Sequence, residues 1–251
     1  MKLLFWNVQR LGRSTPNLRG GVVEGVVAHA FQDHHVDLVV LCEMSGSTHL
    51  GDVVVNKQLN VIRRGATRGA AQLGYAAISD DLNEVAIQRF ELPSFSDTFG
   101  RPIHRKGGNA FTRHTKRFVG HLGDFAGVNV YVYHANASAK GAFLVAWVAA
   151  ALDLEDDGDF LLVGDLNSTP QAVRTQMQFV GLDPDTFEFG WDQPTHNAHK
   201  PPATKVYDWA IGGFSIVPGV TTLDIGGFVQ GAFGADAPAN MPDHLPIVVE
   251  I

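Results

Sequence analysis

The stretch DFLLVGDLNSTPQAVRTQMQFVG, residues 159–181, contains the two kinds of element from which we predict the fold. Its first part, DFLLVGD, is apolar and ends on Asp165, which is typical of a buried strand. The following segment predicts a helix, with Pro170 in the first turn and Gly181 after the end. The sequence therefore predicts a fold built from buried strands that end on polar residues, with helices next to them.

The same two kinds of element recur along the sequence. Apolar or alternating runs predict strands at Leu3–Val8, Asp37–Glu43, Gly74–Ser79, Glu84–Phe90, Lys116–Leu122, Val128–His134, Tyr207–Ile211 and His244–Ile251. Apolar residues at helical spacing predict helices at 20–34 and at Ser138–Leu154, the second with a serine cap. We interpret the polar, basic stretch Ser94–Thr115 as a long surface loop. Two groups of strands with helices between them favour a layered α/β sandwich, which we expect to form one domain over residues 1–251.

Composition narrows the class of protein. The 251 residues carry a net charge of −7, which argues against a high-affinity basic nucleic-acid binder but not against an enzyme that visits an anionic substrate. The single cysteine, Cys42, cannot form an internal disulfide. The apolar run after Met1 is too short for a signal peptide, and no stretch is long enough to span a membrane. We expect a protein that is cytoplasmic, or exported without a visible signal peptide, with no stable membrane association; the sequence does not indicate its oligomeric state.

Polar side chains that can take part in catalysis or metal binding lie at the predicted strand boundaries. A sandwich brings its strand ends to one rim, so these residues could converge on one polar pocket. They are Asn7, Glu43, His134 with Asn136, Asp165 with Asn167, Asp208, and Asp243 with His244.

Oxygen ligands among these residues suit a magnesium ion. Magnesium prefers hard oxygen ligands and keeps several waters, so one or two carboxylates often suffice. Glu43 and Asp243 are the best candidates, with Asn7 close by. The sequence has no set of histidines and cysteines at zinc spacing, and Cys42 is predicted to point into the core.

The other polar residues suit hydrolysis of a phosphate ester. Such a reaction needs an activated water, stabilisation of charge in the transition state and help for the leaving oxygen. His244 could take the proton from water, with Asp208 as its acidic partner. Asp165 and Asn167 could hold the water and a phosphate oxygen, and His134 could donate to a phosphate oxygen or to the leaving group.

Each of these residues taken singly has an ordinary structural interpretation. Asp and Asn at strand ends are more often turn residues, and a lone histidine is more often a surface residue. Their occurrence together, in this order, is what favours a site. The basic stretch Arg101–Arg117 remains open as a phosphate-backbone contact or as a solvated loop. The run around Ser138 lacks a nucleophile elbow, so a serine hydrolase is not indicated.

These residues, in this order, resemble the endonuclease/exonuclease/phosphatase superfamily, the deoxyribonuclease I-like proteins. The resemblance extends from Leu3 to Ile251, and its most specific parts are GDLNSTP (164–170) and DHLPI (243–247). Within the superfamily, HANAS (134–138), QPTH (193–196) and YDWAI (207–211) resemble the nuclease subunit of cytolethal distending toxin.

The resemblance implies a four-layer α/β sandwich, with two mostly antiparallel sheets packed face to face and helices outside. It implies a divalent metal, usually Mg²⁺ with Mn²⁺ or Ca²⁺ possible, bound by Glu43 with Asp243 and Asn7 near it. It also implies roles for the remaining residues: Asp165 and Asn167 on the water and phosphate, Asp208 paired with His244, His134 on the phosphate, and Asn136 and Arg117 as further phosphate contacts. One departure is Gln72, which stands where deoxyribonuclease I has a glutamate that supports the histidine matching His134.

Three functions follow from this resemblance. The first is a DNA endonuclease similar to the nuclease subunit of the toxin. For this function Arg101–Arg117 could supply a basic surface beside the pocket. The second is a phosphatase or phospholipase acting on phosphoinositide or sphingomyelin, for which Phe95, Phe99 and Phe111 could supply an apolar loop. The third is a non-catalytic binding protein, which the complete residue set argues against. We favour the endonuclease.

Overall fold

The computed structural model describes residues 1–9, 17–44, 59–63, 74–79, 87–93, 97–98, 119–135, 137, 140–196, 203–235 and 237–251. Asn136, Arg117 and Gln72 lie outside the described residues, as does the predicted loop Ser94–Thr115 apart from Asp97 and Thr98.

The described residues form strands in two sheets and helices on both sides of them. The strands are β1 Lys2–Asn7, β2 Leu38–Met44, β3 Leu59–Arg63, β4 Gly74–Ser79, β5 Gln88–Phe90, β6 Val119–Phe125, β7 Val128–Val132, β8 Phe160–Asp165, β9 Glu188–Gly190, β10 Asp208–Gly212, β11 Gly219–Thr222 and β12 Ile247–Glu250. The α-helices are α1 Asn17–Asp33, α2 Gly141–Asp156, α3 Pro170–Val180 and α4 Gly226–Phe233. Two short 3₁₀ turns lie at Pro184–Thr186 and Ala237–Asn240.

Each sheet has six strands and one parallel pair. The first sheet has the order β11-β12-β1-β2-β4-β3, in which only β1 and β2 run parallel. The second sheet has the order β5-β6-β7-β8-β10-β9, in which only β7 and β8 run parallel. The prediction of two mostly antiparallel sheets is confirmed.

Alternation of apolar side chains along the central strands builds three apolar layers. In β1, Leu3 and Phe5 pack between the sheets, whereas Leu4 and Trp6 pack outward against α1. In the second sheet, Leu161 and Val163 of β8 face the first sheet, while the outer face of that sheet packs against α2 and α3. The layers are thus helix, sheet, sheet and helix, as predicted.

The strand directions bring the polar strand ends to one rim. Because β1 and β2 are parallel, with Asn7 opposite Cys42, both end at the same edge of their sheet. In the second sheet β8 is antiparallel to β10, so the end of β8 meets the start of β10 and Asp208 lies opposite Asp165. The clustering predicted from sequence therefore follows from the sheet topology.

Several elements differ from the sequence prediction. Helix α2 begins at Gly141, after an N-cap Lys140 that makes no side-chain capping bond, and not at Ser138. Strand β6 continues through Gly123 to Phe125, because the register shifts at the bulge where Gly123 has φ +119°. Strands β3, β9 and β11 are short and were not predicted, nor was the glycine-containing helix α4. Within the described residues, no helix has both the length and the apolar character needed to cross a bilayer.

Candidate active site

A buried pair of Asp208 and His244 forms the centre of the rim. Asp208, the first residue of β10, accepts through Oδ2 from His244 Nδ1 at 2.7 Å. The same oxygen accepts from the Thr195 hydroxyl at 2.6 Å. The Trp6 indole donates to the His244 carbonyl at 2.8 Å, which fixes the histidine backbone against the first sheet. With Nδ1 engaged, the other ring nitrogen of His244 faces the cleft.

Asp165, at the end of β8, lies beside this pair and is held through both oxygens. Asn7 Nδ2 donates to its Oδ2 at 2.8 Å, and the Asn167 backbone N–H donates to its Oδ1 at 3.1 Å. Asn167 has φ +47°, a left-handed conformation that asparagine tolerates. Its side-chain amide donates to Ala135 O at 3.1 Å. These bonds fix the carboxylate and leave the Asn167 amide oxygen available as an acceptor.

His134 joins the two sheets at the rim. Its Nε2 lies 3.4 Å from Asp165 Oδ2 and 3.6 Å from Glu43 Oε1. Glu43 has φ +62° at the register shift between Cys42 and Met44, so a bulge of β2 places its side chain in this position. The His134 backbone N–H donates to the Tyr75 hydroxyl at 2.7 Å. Although Gln72 replaces the expected glutamate, His134 thus has two carboxylate neighbours.

Asp243 lies on the other side of His244, next to a second histidine. Its Oδ1 is 3.8 Å from His244 Nε2, and its Oδ2 is 3.6 Å from His196 Nε2. The rings of His196 and His244 meet edge to face, with centroids 4.8 Å apart. His244 Nε2 also lies 3.8 Å from Asp165 Oδ2, so this nitrogen faces the space between Asp165 and Asp243.

The surrounding carboxylates control the charge on these groups. Burial alone would lower the pKa of His244, but Asp208, Asp165 and Asp243 outweigh it and raise that pKa to about 10. Burial raises the pKa of Asp165, opposed by the nearby His244 and His134. Burial together with the adjacent His244 lowers the pKa of His196.

The donor set fits a divalent cation. Four carboxylates gather here, those of Glu43, Asp165, Asp208 and Asp243, and none of the ion pairs between described residues joins them to Lys or Arg. Asp208 Oδ1 is buried without a hydrogen-bond partner. An excess of oxygen ligands and negative charge is the environment that Mg²⁺ and related ions prefer.

The predicted metal ligands are not all placed in one group. Among the described residues, two sets of three side chains have ligand atoms within 4.8 Å of one another, His196–Asp243–His244 and Asp165–Asp208–His244. Glu43 belongs to neither and lies next to His134. Asn7 contacts Asp165, and its own oxygen accepts from the Gln9 backbone N–H at 3.0 Å, which leaves one lone pair.

The structure brings together eight of the predicted residues and adds others. Those brought together are Asn7, Glu43, His134, Asp165, Asn167, Asp208, Asp243 and His244. Sequence reasoning missed the roles of Thr195, His196 and Tyr75. The first two lie in the QPTH motif, for which the sequence shows only a family resemblance, and no sequence pattern marks Tyr75 near the start of β4.

Comparisons with known proteins agree with the fold. No protein-family model matches the sequence, and no curated protein matches it. Among solved structures, the cytolethal distending toxin of Haemophilus ducreyi is similar with a TM-score of 0.61 and 12% identity, over 99% of this chain and 96% of that one. An endonuclease/exonuclease/phosphatase family protein of Bacteroides thetaiotaomicron has a TM-score of 0.59 and 16% identity, over 99% and 96% of the two chains.

The endonuclease domain of TRAS1, a telomere-specific non-LTR retrotransposon, is also similar, with a TM-score of 0.56 and 11% identity over 100% of this chain and 97% of that one. The fold is that of the endonuclease/exonuclease/phosphatase superfamily, as the sequence resemblance predicted. Structural similarity at identities this low shows the fold, and it does not show the substrate or the catalytic residues.

Proposed function

We propose that this protein is a divalent-metal-dependent nuclease that hydrolyses phosphodiester bonds of DNA. The observation that carries the proposal is the orientation of His244. Asp208 holds its Nδ1 at 2.7 Å, and its Nε2 faces the space between Asp165 and Asp243. An imidazole oriented by a buried carboxylate, with one nitrogen directed into a cleft, is the arrangement needed for a general base.

A cation bound at the rim would offset the carboxylates that raise the pKa of His244, and the neutral ring then accepts the proton of the attacking water at Nε2. Asp208 keeps the Nδ1 proton in place and stabilises the imidazolium that forms. The Thr195 hydroxyl donates to Asp208 at 2.6 Å and thereby holds the carboxylate towards His244. Asp165, fixed by Asn7 and Asn167, accepts from the same water and orients it for attack.

His134 acts at the phosphate in this proposal. Its Nε2 lies 3.6 Å from Glu43 Oε1 and 3.4 Å from Asp165 Oδ2. A protonated Nε2 can donate to a phosphate oxygen or to the leaving oxygen. We further propose Asn136 and Arg117 as phosphate contacts, on the sequence resemblance alone.

The proposed cation site uses oxygen ligands at the same rim. We assign Glu43 as a ligand, with Asp243 and the remaining lone pair of Asn7 contributing through the ion's waters. A bound Mg²⁺, or Mn²⁺ or Ca²⁺ in its place, would offset the carboxylate charge and stabilise negative charge on the phosphate.

Two observations support DNA as the substrate. The similar structures include an endonuclease domain, and the sequence of the stretch Arg101–Arg117 repeats Arg, Lys and His. A cleft rich in carboxylates tolerates a polyanion when a cation and a basic surface lie beside it.

Supercoiled plasmid in Mg²⁺ tests the proposal, with EDTA and with sphingomyelin vesicles and soluble inositol phosphates as parallel substrates. We expect nicked plasmid only when Mg²⁺ is present and no phosphate or phosphocholine release from the other substrates. Intact plasmid at high enzyme concentration would refute the nuclease. Turnover of a lipid or inositol phosphate alone would identify the other enzyme class of this fold.

A further inference from the structure

His196, Asp243 and His244 form a cluster whose first member has no part in the proposed reaction. Asp243 lies between the two rings, 3.6 Å from His196 Nε2 through Oδ2 and 3.8 Å from His244 Nε2 through Oδ1. We propose that these three side chains bind a transition-metal ion such as Zn²⁺, at a site whose ligand chemistry differs from that of the hard-cation site at Glu43.

The backbone places the two histidines on one side. His196 and His244 lie opposite each other in an isolated antiparallel bridge, and the Leu245 N–H donates to Thr195 O at 2.9 Å. Opposite residues of an antiparallel pair point to the same face. Thr195, the neighbour of His196, contacts Asp208. His196 is therefore directed into the cleft beside His244 by the strand pairing itself.

The separations are close to those of a tetrahedral site. Ligands about 2.0–2.1 Å from a zinc ion lie ~3.4 Å from one another. The two contacts of Asp243 exceed that by only a few tenths of an ångström, and all three ligand atoms lie within 4.8 Å of one another. To complete the site, His196 must move closer to the other two ligands. Its buried Nδ1 has no hydrogen-bond partner among the described residues, so this nitrogen does not hold the ring in place.

The chemistry of the ligands selects the ion. Two imidazoles and one carboxylate suit Zn²⁺, whereas Mg²⁺ prefers oxygen alone. Asp208 accepts from His244 Nδ1, so Zn²⁺ would take the place of the proton at Nε2, as in carboxylate–histidine–zinc arrangements. A fourth position is left to water or to a phosphate oxygen.

Occupancy of this site has a functional consequence that rests on the proposed function. Zn²⁺ bound through His244 Nε2 removes the nitrogen that accepts the proton from water. Zn²⁺ therefore inhibits hydrolysis in the presence of Mg²⁺, and the inhibition depends on His196.

Direct binding tests the site without reference to activity. Metal-free wild-type protein is titrated with Zn²⁺ in a calorimeter in excess Mg²⁺, and with Co²⁺ while the visible absorption of tetrahedral Co²⁺ is followed. His196→Asn and Asp243→Asn are expected to weaken binding at least about tenfold. His35→Asn, at an exposed histidine two residues after the end of α1, should bind as the wild type does.

Wild-type affinity in His196→Asn would overturn the proposal. So would loss of binding in His35→Asn, because the site would then lie elsewhere. Should a variant fail to fold, ring NMR signals of the wild type give the answer, since Zn²⁺ must shift those of His196 and His244 together. Zn²⁺ binding without plasmid cleavage would refute only the nuclease, and Mg²⁺-dependent cleavage without His196-dependent Zn²⁺ binding would refute only this site.

Discussion

At the scale of single residues, the arrangement of His244 depends on contacts that come from distant parts of the chain. Asp208 and Thr195 fix one side of the ring, Trp6 fixes its backbone, and Asp165 and Asp243 face its free nitrogen. Because His244, Asp208 and Thr195 are buried, water does not compete with the contacts among them, and the loss of one is expected to misdirect the ring.

Asp208→Asn tests the orienting contact. The amide leaves the backbone intact but can present an N–H to His244 Nδ1, which favours the wrong tautomer or rotates the ring. We expect kcat to fall at least about a hundredfold, within the range for general acid–base catalysis, with little change in KM. Single-turnover plasmid cleavage measures the effect, and Asp157→Asn, an exposed Asp with φ +50°, is the matched control. A change below threefold would show that Asp208 does not orient the base.

Glu43→Gln tests the cation ligand. The amide keeps the shape of the side chain but loses its charge, so the Mg²⁺ concentration that supports half-maximal cleavage is expected to rise about ten- to a hundredfold. Glu155→Gln, at an exposed position on α2, should leave the Mg²⁺ titration unchanged. An unaltered titration in Glu43→Gln would exclude Glu43 as a ligand.

The residues predicted from sequence are marked by a local pattern, whereas the residues that were missed are placed by contacts between distant segments. Asn7, Glu43 and Asp165 lie at the ends of apolar strands and Asp208 begins one, so local pattern and sheet geometry are enough to place them together. His196 lies in an irregular segment, and its contact with His244 depends on a single bridge between chain segments that no local pattern reveals.

At the scale of elements, the unit of β8 and α3 positions the Asp165 carboxylate. Asp165 ends the strand, and Thr169 caps the helix by accepting from the Ala172 N–H at 3.3 Å. Helix α3 then ends at Val180 and is followed by the C-cap Gly181, which has φ +86°, as the sequence predicted. This unit could be predicted because its caps are local, whereas β9 and β11 contain only three and four residues and carry too little pattern.

Gly164→Ala tests how closely β7 and β8 approach beside the site. A Cβ at Gly164 would lie 1.8 Å from the Tyr133 carbonyl oxygen, a backbone atom that cannot move aside without displacing His134. We expect a loss of several kcal/mol in the free energy of unfolding, at the upper end for single substitutions. Gly227→Ala, at an exposed helical position with open space, should stabilise by up to about 1 kcal/mol. Urea denaturation of both variants measures the contrast, and equal stabilities would contradict the close approach.

At the scale of the whole molecule, two similar sheets meet at one polar rim. Each sheet has one parallel pair, β1 with β2 and β7 with β8. The site lies at the ends of these strands and therefore draws residues from both sheets and from both halves of the chain. The layered class could be predicted from sequence, because buried strands and amphipathic helices alternate. The strand order could not, because pairing partners such as β12 and β1 lie at opposite ends of the chain.

The metal-free protein is expected to lose stability as the pH rises above neutrality. The folded state raises the pKa of His244 from 6.5 to about 10, so it binds this proton more tightly than the unfolded chain does. That stabilisation is fully present below pH 6.5 and is lost as the pH rises towards 10. Urea denaturation in EDTA across this window should show a falling free energy of unfolding, with a shallower slope in His244→Gln. A wild-type stability that stays constant or rises would contradict the assignment.

The central claim is that His244 performs metal-supported hydrolysis of a phosphodiester bond at this rim. The most direct measurement is the initial rate of plasmid nicking in Mg²⁺ by the wild type and by His244→Ala, each checked for folding by circular dichroism. We predict that the wild type nicks plasmid, that EDTA abolishes the reaction, and that His244→Ala is slower by at least about a hundredfold. A folded His244→Ala protein that nicks plasmid at close to the wild-type rate would contradict the account.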